Sequence, residues 1–154
     1  MTKKQQYETL LPQITNILEI ETDAVANMAN VSAVLFNGLT NLNWAGFYIL
    51  KNGQLVLGPF QGKPACVRIA LGRGVCGTCA KTGQTQVVKN VHEFAGHIAC
   101  DSASNSEIVI PVFKGKELWG VLDIDSPVLA RFDETDKLYL EKIVKLFEQK
   151  TALD

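Results

Sequence analysis

The residues best suited to chemistry are four cysteines and three carboxylates. The segment 96–107, Gly-His-Ile-Ala-Cys-Asp-Ser-Ala-Ser-Asn-Ser-Glu, is small and polar between apolar runs. Such a stretch does not make core, so Cys100 is expected to be displayed. Cys66, Cys76 and Cys79 lie upstream, and a strand with Asp123 and Asp125 lies downstream. Side chains two apart on a strand share a face, so these two acids point the same way, opposite to Leu122 and Ile124. Glu107 opens the partner strand and falls near them. Three like charges this close cost free energy unless a cation or a proton relieves them. A thiol, candidate thiol partners and clustered acids point to redox chemistry on a small polar substrate.

Each group also has a blander reading. The acids fit a solvated sheet face. Each cysteine fits a small buried hydrophobe, Cys79 best and Cys100 least. His92 and His97 fit a solvated loop. Cys76-x-x-Cys79 has the spacing of a redox helix N-terminus, where the dipole favours thiolate, but it does not follow a first strand as in thioredoxin-like folds. A zinc reading takes Cys76-x-x-Cys79 and, after seventeen residues, His97-x-x-Cys100.

The elements that must position these groups follow from periodicity. Residues 3–20 repeat apolar positions at helical spacing: Tyr7, Leu10, Leu11, Ile14, Ile17 and Leu18. Thr22 and Asp23 cap a second helix through Val25, Met28, Ala29, Val31 or Ser32, and Leu35, ending near Gly38 and Asn41. Residues 44–50 and 54–57 flank Asn52-Gly53, a hairpin turn signal. Residues 66–70 form a short strand, 75–81 a short helix closed by Gly83, and 86–88 another strand. Residues 89–106 read as nearly structureless, a length that is often functional. Strands at 107–113 and 118–125 make a second hairpin, with Pro111 marking an edge or bulge. Asp133 and its neighbours cap a last helix carrying Leu138, Leu140 or Glu141, Ile143, Val144 and Phe147. The expected fold is one α+β domain over residues 1–154: N-terminal helices at 3–42, a sheet with a catalytic loop at 43–126, and a C-terminal helix at 133–152. Its antiparallel sheet of about six strands has the helices packed on one face.

The chain has 154 residues, 47% hydrophobic and 20% charged, with net charge −1 and pI about 6.1. That length suits one domain with a core needing no staples. The charge argues against a nucleic-acid footprint. The N-terminus has no apolar stretch, so no signal peptide is read and a cytoplasmic location is expected. Four cysteines there point to metal ligands or redox-active thiols rather than structural disulfides.

Several stretches together resemble the free methionine-R-sulfoxide reductases, built on a GAF domain. They are Asn43-Trp44-Ala45-Gly46-Phe47-Tyr48, residues 58–63, Cys66-Val67-Arg68-Ile69, residues 72–78, residues 97–109 and residues 120–126. The resemblance implies that Cys100 is the catalytic cysteine, that Cys66 forms the recycling disulfide with it, and that Cys76 is a third cysteine serving as relay or alternative resolver. It implies that Glu107, Asp123 and Asp125 hold the substrate and its sulfoxide, and that Trp44 and Tyr48 line the pocket. Cys79 departs from the pattern. The implied partners are free methionine sulfoxide and thioredoxin as reductant, with no metal or organic cofactor; family members form homodimers. A ligand-binding GAF sensor is the alternative, and it is disfavoured because the chain ends soon after the last helix, with no output domain.

Overall fold

The computed structural model describes residues 1–97 and 103–154. Helix α1 spans Lys3–Ile20 and α2 spans Ala24–Gly38. Strands β1 (Trp44–Lys51), β2 (Gln54–Gly62) and β3 (Arg68–Ala70) follow, then α3 (Gly74–Thr82) and β4 (Gln86–Val88). Strands β5 (Ser106–Lys114) and β6 (Glu117–Ser126) precede α4 (Glu134–Lys150). The six strands form one antiparallel sheet in the order β3-β2-β1-β6-β5-β4.

The two sides of this sheet do different things. Ala45, Phe47, Ile108, Ile110, Leu122 and Ile124 point to one side and are buried under α1, α2 and α4. Residues one position along point to the other side, as the two-residue period of a strand requires. There Trp44, Tyr48, Val109 and Val121 pack with Val75, Cys76, Cys79 and Ala80 of α3. The terminal helices therefore share one face, as expected, while α3 covers the opposite one. The central pair β1 and β6 is buried on both faces, which is why its sequence reads as a continuous apolar run interrupted by two aspartates.

Local chemistry explains the element ends. Thr2 and Gln5 form a capping box on α1, and Asp23 caps α2 by accepting from the Ala26 N–H. Asn52 (φ 52°) and Gly53 (φ 80°) take the left-handed region that a two-residue hairpin needs. Gly83 (φ 68°) stops α3, its N–H bonding the Cys79 carbonyl. The α4 cap, Asp133, is reciprocated by Asp136. Asp136 is fully buried and takes a Lys3 Nζ–H at 2.7 Å, the Tyr7 hydroxyl at 2.7 Å and Arg131 Nη1 at 3.3 Å. Arg131 Nε also donates to the Thr40 carbonyl at 2.9 Å. This charged knot ties both ends of the chain to the end of α2.

Four details differ from the sequence expectation. Strand β2 runs to Gly62 through Gly58-Pro59; β3 pairs only with Gln54–Val56, so Pro59 lies on an open edge where a missing N–H loses no ladder bond. Strand β3 begins at Arg68 rather than Cys66. Val25 and Leu138 are 62% and 54% exposed, because the buried stripes run through Met28, Val31 and Leu35 and through Tyr139, Leu140 and Ile143. The connection from residue 89 contains a 3₁₀ turn, Val91–Glu93, anchored by fully buried Val91. Pro111 does sit beside an irregularity: β4 no longer flanks it and a register shift follows at Val112/Phe113.

Candidate active site

The register of the second hairpin places the carboxylates. Glu107 of β5 stands directly opposite Asp125 of β6, and Asp123 opposes Val109 two pairs further along. All three face away from the terminal helices. Across the other edge of β6, Trp44 pairs with Asp125 and Gly46 with Asp123. Gly46 has a reason to lack a side chain: a Cβ there would stand 2.3 Å from Phe60 Cβ and 2.9 Å from Trp44 Cη2. The Trp44 ring instead stacks on Phe60 with centroids 5.1 Å apart and on Tyr48 at 6.0 Å. The Trp44 and Tyr48 rings form one wall of a pocket also lined by Glu107, Asp123 and Asp125 from the sheet and by Val75 and Cys76 of α3.

The acids are not a solvated sheet face. Glu107 is 8% exposed and Asp123 5%. Burial, and then the charge of Asp123, pushes the Glu107 carboxyl well above the usual range; burial and Asp125 do the same for Asp123. Both carboxyls therefore hold a proton more tightly than exposed acids do. The Cys76 thiol lies 3.8 Å from Glu107 Oε2 as a donor. It sits in the first turn of α3, where the dipole alone would favour thiolate. Burial and the adjacent Asp123 and Glu107 outweigh the dipole and hold Cys76 strongly in the thiol form.

The aromatic wall also holds the cysteine segment before β3. The Tyr48 hydroxyl donates to the Cys66 carbonyl at 2.8 Å, and the Trp44 indole N–H donates to the Lys63 carbonyl at 3.1 Å. Burial and then Asp123 raise the Tyr48 phenol far above its ordinary range, so it stays a donor. Cys66 is disulfide-bonded, whereas Cys76 and Cys79 are free thiols. Cys79 is fully buried, points at the Val109 carbonyl (3.6 Å) and does not line the pocket, as a packing cysteine should. Burial raises its thiol strongly as well.

Cys100 lies outside the described residues. The chain on both sides of it is pinned to the pocket rim. Gly96 accepts from the Gly74 N–H at the start of α3 (3.0 Å), and Asn105 is bonded to Val91 N and Ser126 O through its backbone. The Asn105 side chain contacts His92 Nε2 at 2.9 Å and donates to the Pro127 carbonyl at 2.8 Å. His97 lines the pocket; partial burial, then His92, lowers its pKa. Cys76 and His97 both line this space, but Cys79 does not, so the spacing-based zinc set does not assemble among the described residues.

Two lining groups, Ser104 and Arg73, carried no assigned role in the sequence. Ser104, 7% exposed, lines the pocket and accepts from Asn43 Nδ2 at 3.0 Å. Arg73 brings a cation to the rim. Its position between Gly72 and Gly74, both with positive φ, was the available signal.

The GAF domain family model matches residues 13–150. The free methionine-R-sulfoxide reductase of Escherichia coli is 50% identical over 152 residues, covering 99% of this chain and 92% of that protein. The Saccharomyces cerevisiae protein of the same name is 42% identical, covering 97% of this chain and 87% of that one. The solved free methionine-R-sulfoxide reductase of Neisseria meningitidis, in complex with its substrate, superposes with a TM-score of 0.94 at 48% identity, covering 97% and 90% of the two chains. With its buried acids, its aromatic wall and Cys66, Cys76 and Cys79 on one side of a six-stranded sheet, this chain belongs to the free methionine-R-sulfoxide reductase family of GAF-domain proteins.

Proposed function

We propose that the protein reduces free L-methionine-(R)-S-oxide to L-methionine through a cysteine sulfenic acid and an intramolecular disulfide. The observation that carries this reading is the buried carboxyl cluster of Glu107, Asp123 and Asp125 lining an aromatic-walled pocket.

The chemistry needs a thiolate, a proton donor and a way to reset. The Cys100 thiolate attacks the sulfoxide sulfur. The sulfoxide oxygen gains negative charge and must be protonated as its bond to sulfur breaks. A carboxylic acid kept neutral by burial beside other acids is suited to give that proton. The released water then attacks the Cys100 sulfur and breaks the transient sulfur–sulfur bond, so methionine leaves, a proton is given up and oxygen ends on Cys100 as sulfenic acid. The Cys66 thiol then displaces that oxygen as water, forming a Cys66–Cys100 disulfide. The disulfide state of Cys66 beside the free thiols Cys76 and Cys79 supports this pairing. A dithiol protein, thioredoxin, returns two electrons and two protons. The cytoplasm, where thiols are kept reduced, suits such a cycle.

Selectivity for the free amino acid has the same source. The α-ammonium of free methionine sulfoxide compensates the remaining carboxylate charge, and a peptide-bound methionine lacks it. The ring faces of Trp44 and Tyr48 take the apolar part of the side chain. No metal or organic cofactor enters these steps.

The test is product analysis on the separated sulfoxide epimers, free and peptide-bound, with thioredoxin present. Methionine is expected from the free R epimer. Equal turnover of peptide-bound substrate would remove the role given to the acids, and no turnover of any of the four would remove the function.

A further inference from the structure

We infer that the reduced pocket is a binding site for a thiophilic divalent cation of the zinc type, held by Cys76, Glu107 and Asp123, and that the cation inhibits by occupying the place of the substrate's polar groups. The inhibitory half rests on the function proposed above; the binding half does not.

Three observations meet here. Among the described residues, Cys76, Glu107 and Asp123 form a group of three buried potential ligands whose donor atoms all lie within 4.8 Å of one another. A tetrahedral zinc ion, with metal–sulfur about 2.3 Å and metal–oxygen about 2.1 Å, holds such atoms roughly 3.6 Å apart. Cys76 Sγ and Glu107 Oε2 stand at 3.8 Å, close to that spacing. Second, Asp123 is 5% exposed, yet its Oδ1 is buried with no hydrogen-bond partner. A buried carboxylate oxygen without a donor is costly, and a cation satisfies it. Third, the three ligands come from three elements, α3, β5 and β6, and their backbones are fixed by helix and ladder bonds. The pocket side stays open for a fourth ligand, water.

The donor set selects the ion. One sulfur with carboxylate oxygens favours zinc, cobalt or cadmium over magnesium and calcium, which take oxygen only. The set differs from the one that sequence spacing offered: it shares Cys76, omits Cys79 and His97, and takes two acids from the final hairpin. The ion would sit where the proposed function places the α-ammonium and the sulfoxide oxygen, so the two cannot bind together.

The experiment uses the full chain carrying Cys66→Ser and Cys100→Ser, which leaves Cys76 and Cys79 as its thiols. Titration with Co²⁺ alone is expected to give a thiolate-to-cobalt charge-transfer band saturating at one equivalent, displaced by Zn²⁺. Adding Cys76→Ser should abolish the band and weaken Zn²⁺ by more than the about 10–100-fold typical of changes outside the ligand set. Asp123→Asn and Glu107→Gln, each nearly isosteric, should weaken it while the fold is retained by circular dichroism. Adding Cys79→Ser should change nothing. No band, or a band that survives Cys76→Ser and disappears with Cys79→Ser, would overturn the site. For the wild type, Zn²⁺ should slow methionine formation in a single turnover, competitively with sulfoxide and reversibly by chelator. A one-equivalent band without inhibition would keep the site and refute its overlap with substrate.

Discussion

The Tyr48 hydroxyl donates a 2.8 Å hydrogen bond to the carbonyl of Cys66, so a residue of the pocket wall also fixes the backbone of the cysteine proposed to resolve the sulfenic acid. Tyr48 sits in the centre of the sheet, and Cys66 precedes β3 on a segment otherwise tied by the Trp44 indole and by Leu57 N–H to the Val67 carbonyl. Loss of one such bond costs about 0.5–1.5 kcal/mol. Tyr48→Phe keeps the ring and removes the bond. Its sulfenic acid should persist several-fold longer before closing to the disulfide, measured by quenched-flow trapping with a sulfenic-acid reagent. An unchanged lifetime would assign Tyr48 to the pocket wall alone.

The acid cluster sets a trade of stability against function. Glu107 and Asp123 have folded-state pKa values raised well above 4.5 and 3.8, chiefly by burial. A raised acid is bound to its proton more tightly in the folded chain than in the unfolded one. Its stabilisation is therefore present in full below the unfolded pKa and is lost as pH rises from there toward the folded value. The wild type should lose thermal stability above about pH 4.5 on this account. Asp123→Asn should flatten that slope and stabilise the protein at pH 7 by about 0.5–2 kcal/mol while removing most turnover. Calorimetry across pH 5–8 checks it; a variant as steep as wild type would contradict the assignment.

The Asp136 knot should matter for folding and not for chemistry. It lies on the helix-covered face, with Tyr7, Lys3 and Arg131 as its partners. Asp136→Ala leaves the buried guanidinium without its anion and should destabilise by about 3–5 kcal/mol. Urea denaturation measures this. The folded fraction should keep the wild-type kcat.

Cys79 separates packing from redox chemistry. It is fully buried against Val109 and away from the pocket. Cys79→Ala should cost about 1 kcal/mol of stability and leave thioredoxin-supported turnover unchanged. A recycling defect as large as that of Cys66→Ser would make Cys79 the resolving thiol instead.

Most of this fold was legible because few features compete with its periodicities. The Asn52-Gly53 turn, the Gly83 stop and the alternation of Leu122, Asp123, Ile124 and Asp125 each define a local geometry without tertiary help. The same alternation put both aspartates on one face and Glu107 opposite them. Their burial was not legible, because it depends on α3 crossing that face, and α3 is nine residues with no strong stripe of its own. The role of Tyr48 toward Cys66 was hidden for a similar reason: it joins a ring and a carbonyl eighteen positions apart. The Tyr7–Asp136 bond spans 129 positions and leaves no trace in local pattern.

The central claim is that one thiol attacks and a second one resets it. The direct measurement is methionine released per protein in the absence of any external reductant, with the thiol state read by mass spectrometry. The wild type should release one equivalent and end as a Cys66–Cys100 disulfide. Cys66→Ser should release one and hold a trappable sulfenic acid at Cys100, and Cys100→Ser should release none. A full equivalent from Cys100→Ser would contradict the account.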